Sequence, residues 1–205
     1  MNVIIDYGIG NTGSILNMLK HIGASAMVSS DPDKITQADK LILPGVGAFD
    51  AAMNNLTVSG LIPVLNRAVL DDKKPVLGIC LGMQILGTGS EEGKLPGLGW
   101  IDFYNVRFDF QDFAQQPKLP HMGWNLVTPC KDSPLLHTID ATWRYYFVHS
   151  YYAVCKDPGH KLLATNYGYD FTSAVQRCNI YGVQFHPEKS HRYGIQILKN
   201  FVEKC

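Results

Sequence analysis

The chain has 205 residues, 46% of them hydrophobic and 18% charged. That balance excludes a disordered or fibrous polymer and allows one domain with a core large enough to fold alone. Eighteen basic and eighteen acidic residues cancel, so neither nucleic acid nor an acidic membrane surface is an expected partner, since both call for a basic excess. No apolar run is long enough to cross a bilayer.

Taken in order, Met1-Asn2-Val3-Ile4-Ile5-Asp6 leads straight into a buried-strand run, and no signal peptide is expected. The Gly-rich turn Gly8-Ile9-Gly10-Asn11 follows, then a helix carrying Ile15, Leu16, Leu19 and Ile22 on one face and stopped by Gly23. Lys40-Leu41-Ile42-Leu43 reads as a second buried strand ended by Pro44-Gly45. Leu61, Ile62, Leu65 and Val69 give another helical stripe. Pro75-Val76-Leu77-Gly78-Ile79 is a third strand running into Cys80. Such alternation implies right-handed crossovers and a mostly parallel central sheet with helices on both faces, an α/β fold.

Strand signals dominate from Trp100 to about Gln184. They lie at Tyr145-Tyr146-Phe147-Val148, Ala153-Val154-Cys155, Ser173-Ala174-Val175 and Tyr181-Gly182-Val183-Gln184. Polar, Gly and Pro turns between them predict antiparallel strands added in the second half. A last helix places Ile195, Leu198, Phe201 and Val202 on one side. No repeat or linker interrupts the chain, so residues 1–205 are read as a single domain.

The five cysteines, at 80, 130, 155, 178 and 205, are odd in number and widely spaced, without a CxxC. This argues against a disulfide framework or zinc site and for a reducing, cytoplasmic compartment. Cys80 stands apart. Gly78-Ile79-Cys80-Leu81-Gly82-Met83-Gln84 is a G-x-C-x-G turn between a buried strand and a helix. Glycine on either side of a nucleophile permits the strained corner that presents its side chain at the carboxyl end of a strand. The helix beginning there is expected to favour the thiolate, and the Leu81 N–H to face a developing oxyanion. An arbitrary free cysteine is more often a small buried hydrophobe, and that structural reading is kept for Cys130, Cys155, Cys178 and Cys205.

A thiol nucleophile needs a base. His186 follows a buried strand in Gly182-Val183-Gln184-Phe185-His186-Pro187-Glu188, with Glu188 two residues on to orient the imidazole. His149 ends a strand and is a second candidate, while His121 precedes Met122-Gly123-Trp124-Asn125 in an expected loop. His21, His137, His160 and His191 sit in polar or helix-end settings and read as solvated.

Three segments, Pro44-Gly45-Val46-Gly47, the Cys80 turn and Gln184-Phe185-His186-Pro187-Glu188, resemble in type and order the class I glutamine amidotransferases, the triad-type glutaminases. A narrower resemblance runs through Ile5-Asp6-Tyr7-Gly8-Ile9-Gly10-Asn11, Pro44-Gly45-Val46-Gly47-Ala48-Phe49, Pro120-His121-Met122-Gly123-Trp124-Asn125, Phe147-Val148-His149-Ser150-Tyr151 and His186-Pro187-Glu188-Lys189-Ser190. It is to the glutaminase subunits of imidazole glycerol phosphate synthase, which pair with a (β/α)8-barrel cyclase in histidine biosynthesis and pass it ammonia.

The resemblance implies Cys80 as nucleophile, His186 as general base and acid, and Glu188 as orienting carboxylate. It implies oxyanion amides from Gly45, Val46 and Leu81, and glutamine contacts from Gln84, Glu92, Ser150 and Tyr151. Asn11, Trp124, Tyr146 and Lys189 would face the partner in a heterodimer. Plain alternatives are a helix cap for Asn11, core packing for Trp124 and Tyr146, and a solvated charge for Lys189. No metal or organic cofactor is required. The glycines of Pro44-Gly45-Val46-Gly47 could let a peptide flip into or out of the oxyanion hole.

Gly87-Thr88-Gly89 departs from the aromatic and acidic pair that many family members carry after the nucleophile helix. Gly99-Trp100-Ile101-Asp102 and Lys189-Ser190-His191-Arg192 also resemble paralogues of surface-polysaccharide synthesis, which would send the ammonia to a sugar. A cysteine peptidase, a chaperone of related fold and a non-catalytic scaffold are readings from other classes.

Overall fold

The computed structural model describes residues 1–140 and 142–205. The first half contains β1 (Asn2–Ile5), α1 (Thr12–His21), β2 (Ala26–Ser29), α2 (Pro32–Gln37), β3 (Lys40–Gly45), α3 (Phe49–Val58), α4 (Ile62–Asn66), β4 (Val76–Cys80) and α5 (Leu81–Gln84). Then come β5 (Gly89–Ser90), β6 (Phe103–Arg107), β7 (His121–Leu126), β8 (Thr128–Pro129), β9 (Arg144–His149), β10 (Tyr151–Cys155), β11 (Lys161–Tyr167), β12 (Tyr169–Arg177), β13 (Ile180–Val183) and α6 (His191–Lys204).

The principal sheet runs β2-β1-β3-β4-β13-β12-β10-β6-β5, with β11 joined to β12 and β8. Strands β2, β1, β3, β4 and β13 are mutually parallel, and β12 enters antiparallel to β13. The α/β fold with a mostly parallel centre and antiparallel additions is the one expected. A separate antiparallel pair, β7–β9, lies off this path.

Side-chain alternation explains why the central strands read as continuous apolar runs. Val3, Ile5, Leu41 and Leu43 pack with Phe49, Leu56, Leu61 and Leu65 from α3 and the α4 region on one face. Ile4, Ile42, Leu77 and Ile79 pack with Ile15 and Leu19 of α1 and Ile197, Leu198 and Phe201 of α6 on the other. Both faces of a parallel sheet are thus dry, and strands buried on both sides need apolar residues at every position.

Four details depart from the sequence reading. Strand β3 continues through Pro44 and Gly45, pairing Gly45 with Cys80, where a stop was expected. The stripe from Leu61 to Val69 is not one regular helix, since α4 gives way to a π-helical turn at Arg67–Asp71. His121 stands buried on β7 instead of in a loop, and His160 is half-buried instead of solvated. Among the described residues Cys130 and Cys178 are exposed and Cys155 and Cys205 half-buried, which leaves Cys80 as the buried cysteine.

Candidate active site

Strands β4 and β13 are parallel neighbours with Ile79 opposite Val183. Each chain therefore leaves the sheet at the same edge, one at Cys80 and the other toward Gln184, Phe185 and His186. This carboxyl edge is where open α/β sheets hold ligands. Adjacency in the sheet, not in sequence, brings thiol and imidazole together.

Cys80 has φ 55° and ψ −112°, a positive φ that L-residues rarely adopt. The glycines of the turn permit this. A Cβ on Gly82 would lie 1.8 Å from the Leu43 carbonyl oxygen of β3, and one on Gly78 would lie 2.6 Å from the Gly82 carbonyl oxygen. A Cβ on Gly45 would stand 2.6 Å from the Gly82 amide nitrogen. Three backbones meet here with no space for side chains, which is the physical content of G-x-C-x-G next to Pro-Gly. Helix α5 is only four residues long, so a summed helix dipole behind the thiol, expected from the sequence, is not available. The contribution of a single turn is confined to its free amides, beginning at Leu81.

His186 is 1% exposed and Glu188 reaches it from two residues on, with Nδ1 to Oε1 at 2.7 Å. A carboxylate accepts, so Nδ1 carries the proton and Nε2 is the face left for exchange. Nε2 is buried with no hydrogen-bond partner among the described residues, and Cys80 is the thiol near the ring. Burial works to lower the imidazole pKa, but its contacts with Cys80 and Glu188 outweigh it and push the value up to about 10.

These groups open into a cavity of about 340 Å3 lined in part by Val46, Gly47, Leu81, Gln84, Glu92, Ser150, Tyr151 and Lys189. The size lies at the small end for ligand pockets, which suits a free amino acid and not an extended peptide. Gln84 is buried, and its Nε2 donates to the Tyr151 carbonyl at 3.2 Å and to Gln184 Oε1 at 3.1 Å. Gln184 in turn points Nε2 at Cys80 Sγ, 3.7 Å away. Glu92 accepts from the Phe49 N–H at 2.9 Å, capping α3 while facing the cavity. Gly45 on β3 pairs with Cys80, and Val46, which lines the cavity, is 45% exposed.

The residues expected to face a partner divide. Trp124 is 41% exposed, stacks on His191 and meets Tyr146 edge-on; it is not a core aromatic. Lys189 lies over the Tyr146 ring at 5.7 Å and also lines the cavity. Asn11 caps α1, its Oδ1 accepting from Ser14 N–H at 3.2 Å. Trp124 also lines a neighbouring hollow of about 380 Å3 with Arg144, His191, Arg192 and Tyr193.

Sequence reasoning missed Gln184 as the residue touching the thiol, although it lies in the motif, and it left His149 as a spare base. His149 lines the cavity wall, but its Nδ1 donates to the Tyr151 carbonyl at 2.8 Å and its Nε2 meets His121 Nδ1 at 3.0 Å. Both nitrogens are occupied, so it is no competitor to His186.

Comparison with known proteins identifies the family. A family model described as glutamine amidotransferase class-I matches residues 3–205. An imidazole glycerol phosphate synthase subunit HisH 2 from Pseudomonas aeruginosa is 58% identical over 203 residues, covering 99% of each chain. A subunit of the same name from Methanococcus maripaludis is 50% identical over the full length of both. One named subunit HisH from Bdellovibrio bacteriovorus is 46% identical, covering 98% of each. Among solved structures, a glutamine amidotransferase superposes with TM-score 0.74 at 17% identity, covering 98% of this chain and 97% of that one; at that identity the likeness shows fold. Full-length agreement in sequence, together with the fold, places this chain in the class-I glutamine amidotransferase family.

Proposed function

We propose that this chain is the glutaminase subunit of an imidazole glycerol phosphate synthase, hydrolysing L-glutamine and passing ammonia to a cyclase subunit. The observation that carries the hydrolytic half is the buried pair His186–Glu188 beside Cys80 at the bottom of an amino-acid-sized cavity. The names borne by full-length relatives support the pathway.

In the proposed reaction Cys80 Sγ attacks the carboxamide carbon, its proton residing on His186 Nε2. The tetrahedral oxyanion is received by main-chain N–H groups at Leu81 and the Gly45-Val46 turn. Each well-placed donor is worth about 3–4 kcal/mol. His186 then gives its proton to the departing ammonia, leaving a thioester on Cys80. Water, deprotonated by the same ring, releases glutamate and restores the thiol. Glu188 stays ionised throughout and holds the tautomer. Gln84, Glu92, Ser150 and Tyr151 are assigned to the glutamine, with the Glu92 carboxylate suited to the α-ammonium group.

Ammonia that escapes into neutral water becomes ammonium, so the product has to leave through an enclosed path. Trp124, Tyr146, Lys189 and Asn11 are assigned to the surface meeting the cyclase, expected to be a (β/α)8 barrel. The Gly45-Val46-Gly47 peptides are the proposed element by which ligand at the cyclase alters the oxyanion hole. An oxyanion amide in the same position with and without the cyclase ligand would count against this. Among the described residues no helix is long and apolar enough to cross a membrane, and we assign the chain to the cytoplasm as one domain over residues 1–205.

The test is glutamate release by wild type and Cys80→Ala, alone and with a barrel cyclase plus its nucleotide substrate. Stimulation by the loaded cyclase, lost in Cys80→Ala, is expected. Activity indifferent to the cyclase would redirect the ammonia to a sugar acceptor, and no activity under any condition would leave a scaffold.

A further inference from the structure

We infer that His121 and His149 are positioning residues for the glutamine pocket, forming with Asn125 a directed hydrogen-bond chain that fixes the Tyr151 carbonyl in its wall. The inference rests on the glutaminase reading for the identity of the ligand, and on geometry alone for the chain.

Four contacts define it. Asn125 Nδ2 faces His121 Nε2 at 3.3 Å, His121 Nδ1 faces His149 Nε2 at 3.0 Å, and His149 Nδ1 faces the Tyr151 oxygen at 2.8 Å. Gln84 Nε2 reaches the same oxygen at 3.2 Å. The two ends allow one proton pattern. A carbonyl can only accept, so His149 carries its proton on Nδ1 and leaves Nε2 as acceptor. At the other end the Asn125 amide is fixed, because its oxygen accepts from the Leu126 N–H at 2.8 Å and its nitrogen donates to the Asn166 carbonyl at 2.8 Å. The amide nitrogen therefore donates to His121 Nε2, and His121 Nδ1–H donates to His149.

Two protons serve two rings, and a third has no acceptor along the line. The surroundings agree. His121 is 3% exposed and sandwiched between Phe147 and Tyr167, with ring centroids 4.8 and 4.0 Å away, while His149 is 6% exposed among Phe108, Phe147 and Phe171. Such a setting penalises an imidazolium, and burial lowers the pKa of His121 to about 4 and that of His149 to about 3.

From the Tyr151 carbonyl the chain continues through Gln84 and Gln184 to Cys80 Sγ. Position along this line is what the pocket gains. A carbonyl held from two sides cannot rotate, and rotation of that peptide, which joins Tyr151 to Tyr152, would shift the backbone from which Tyr151 lines the cavity. The consequence is selective: loss of the His149 donor weakens glutamine binding, while Cys80, His186 and Glu188 keep their mutual geometry.

The experiment compares His149→Leu and His149→Asn in glutamate release with the cyclase subunit present, beside two-bond 1H–15N spectra of the wild-type histidines. Asparagine returns an N–H near the Nδ1 position and leucine does not. The expected result is a KM for glutamine raised about tenfold in His149→Leu, as for one lost buried hydrogen bond. Recovery to within about threefold is expected in His149→Asn, with kcat changed less than KM in both. Equal KM losses in the two variants, or a loss confined to kcat, would overturn it. Independently of whether either variant folds, the wild-type spectra are expected to show His121 and His149 neutral and protonated at Nδ1 near pH 7. An Nε2–H tautomer or an imidazolium at either ring would overturn the chain. Absence of any wild-type glutamine hydrolysis would sink the glutaminase reading instead, leaving the tautomer result to judge the chain.

Discussion

The two halves of the site are built by different means. The β3–β4 half is a backbone construction, in which Gly45, Gly78 and Gly82 let three main chains meet and force Cys80 to φ 55°. The β7–β9 and β13 half is a side-chain construction, in which His186, Glu188, Gln184, His149 and His121 are placed by hydrogen bonds and aromatic walls. Close backbone packing tolerates no added atom, whereas a hydrogen-bonded network tolerates volume changes but not a wrong proton. Damage in the first half should therefore show as lost folding, and damage in the second as altered kinetics and pH response.

The largest effect belongs to the group the two halves share. Cys80→Ala is expected to lower kcat for glutamine hydrolysis on the order of 10^6-fold, as removal of other triad nucleophiles does, with thermal stability little changed because alanine keeps the Cβ and the backbone at φ 55°. Glu188→Gln leaves the volume and reverses the hydrogen bond to His186 Nδ1. A loss of about 10^4-fold in kcat with a near-native melting temperature is expected, and a large fall in melting temperature would blur the division between the halves. Gly82→Ala should do the converse. Its Cβ would sit 1.8 Å from the Leu43 oxygen, so a destabilisation of about 3 kcal/mol or more is expected from the denaturant midpoint.

How much of this was legible in sequence follows the same division. The G-x-C-x-G turn could be read because backbone crowding leaves glycine as the only solution at fixed spacing. His186–Glu188 could be read because base and orienter lie two residues apart. The strands β1, β3 and β4 could be read because burial on both faces demands unbroken apolar runs. Gln84–Gln184 spans 100 positions and His121–His149 spans 28, and no local pattern announces a partner at that distance. The short edge strand β2 is only half-buried, so it lacks the apolar signal of its neighbours. The single-turn length of α5 escaped for another reason: Ile85 and Leu86 continue the apolar sequence, but the chain turns away there to meet β6 through Thr88 and the Phe103 carbonyl.

Two smaller effects sharpen the comparison. His121 and His149 are held neutral in the fold, whereas in the unfolded chain both protonate below about pH 6.5. The unfolded state then binds more protons, so stability falls as pH falls from about 6.5 toward about 4. Unfolding measured across that range should lose part of this slope in His149→Leu, and an unchanged slope would remove the second half's pH signature. His186 has the opposite sign: its raised pKa contributes stability that is present below about 6.5 and lost as pH rises through about 10. The smallest effect is at Asn11, whose side chain caps α1. Asn11→Ala should cost about 1 kcal/mol by the denaturant midpoint. A loss of cyclase affinity without that cost would assign the residue to the interface alone.

The central claim, covalent catalysis at Cys80, is tested most directly by acid-quenching the enzyme during glutamine turnover with the cyclase present and weighing the Cys80 peptide. A glutamyl thioester on that peptide in wild type, absent in Cys80→Ala, is the expected result. Undiminished glutamate release by Cys80→Ala, with no acylated peptide in wild type, would contradict it.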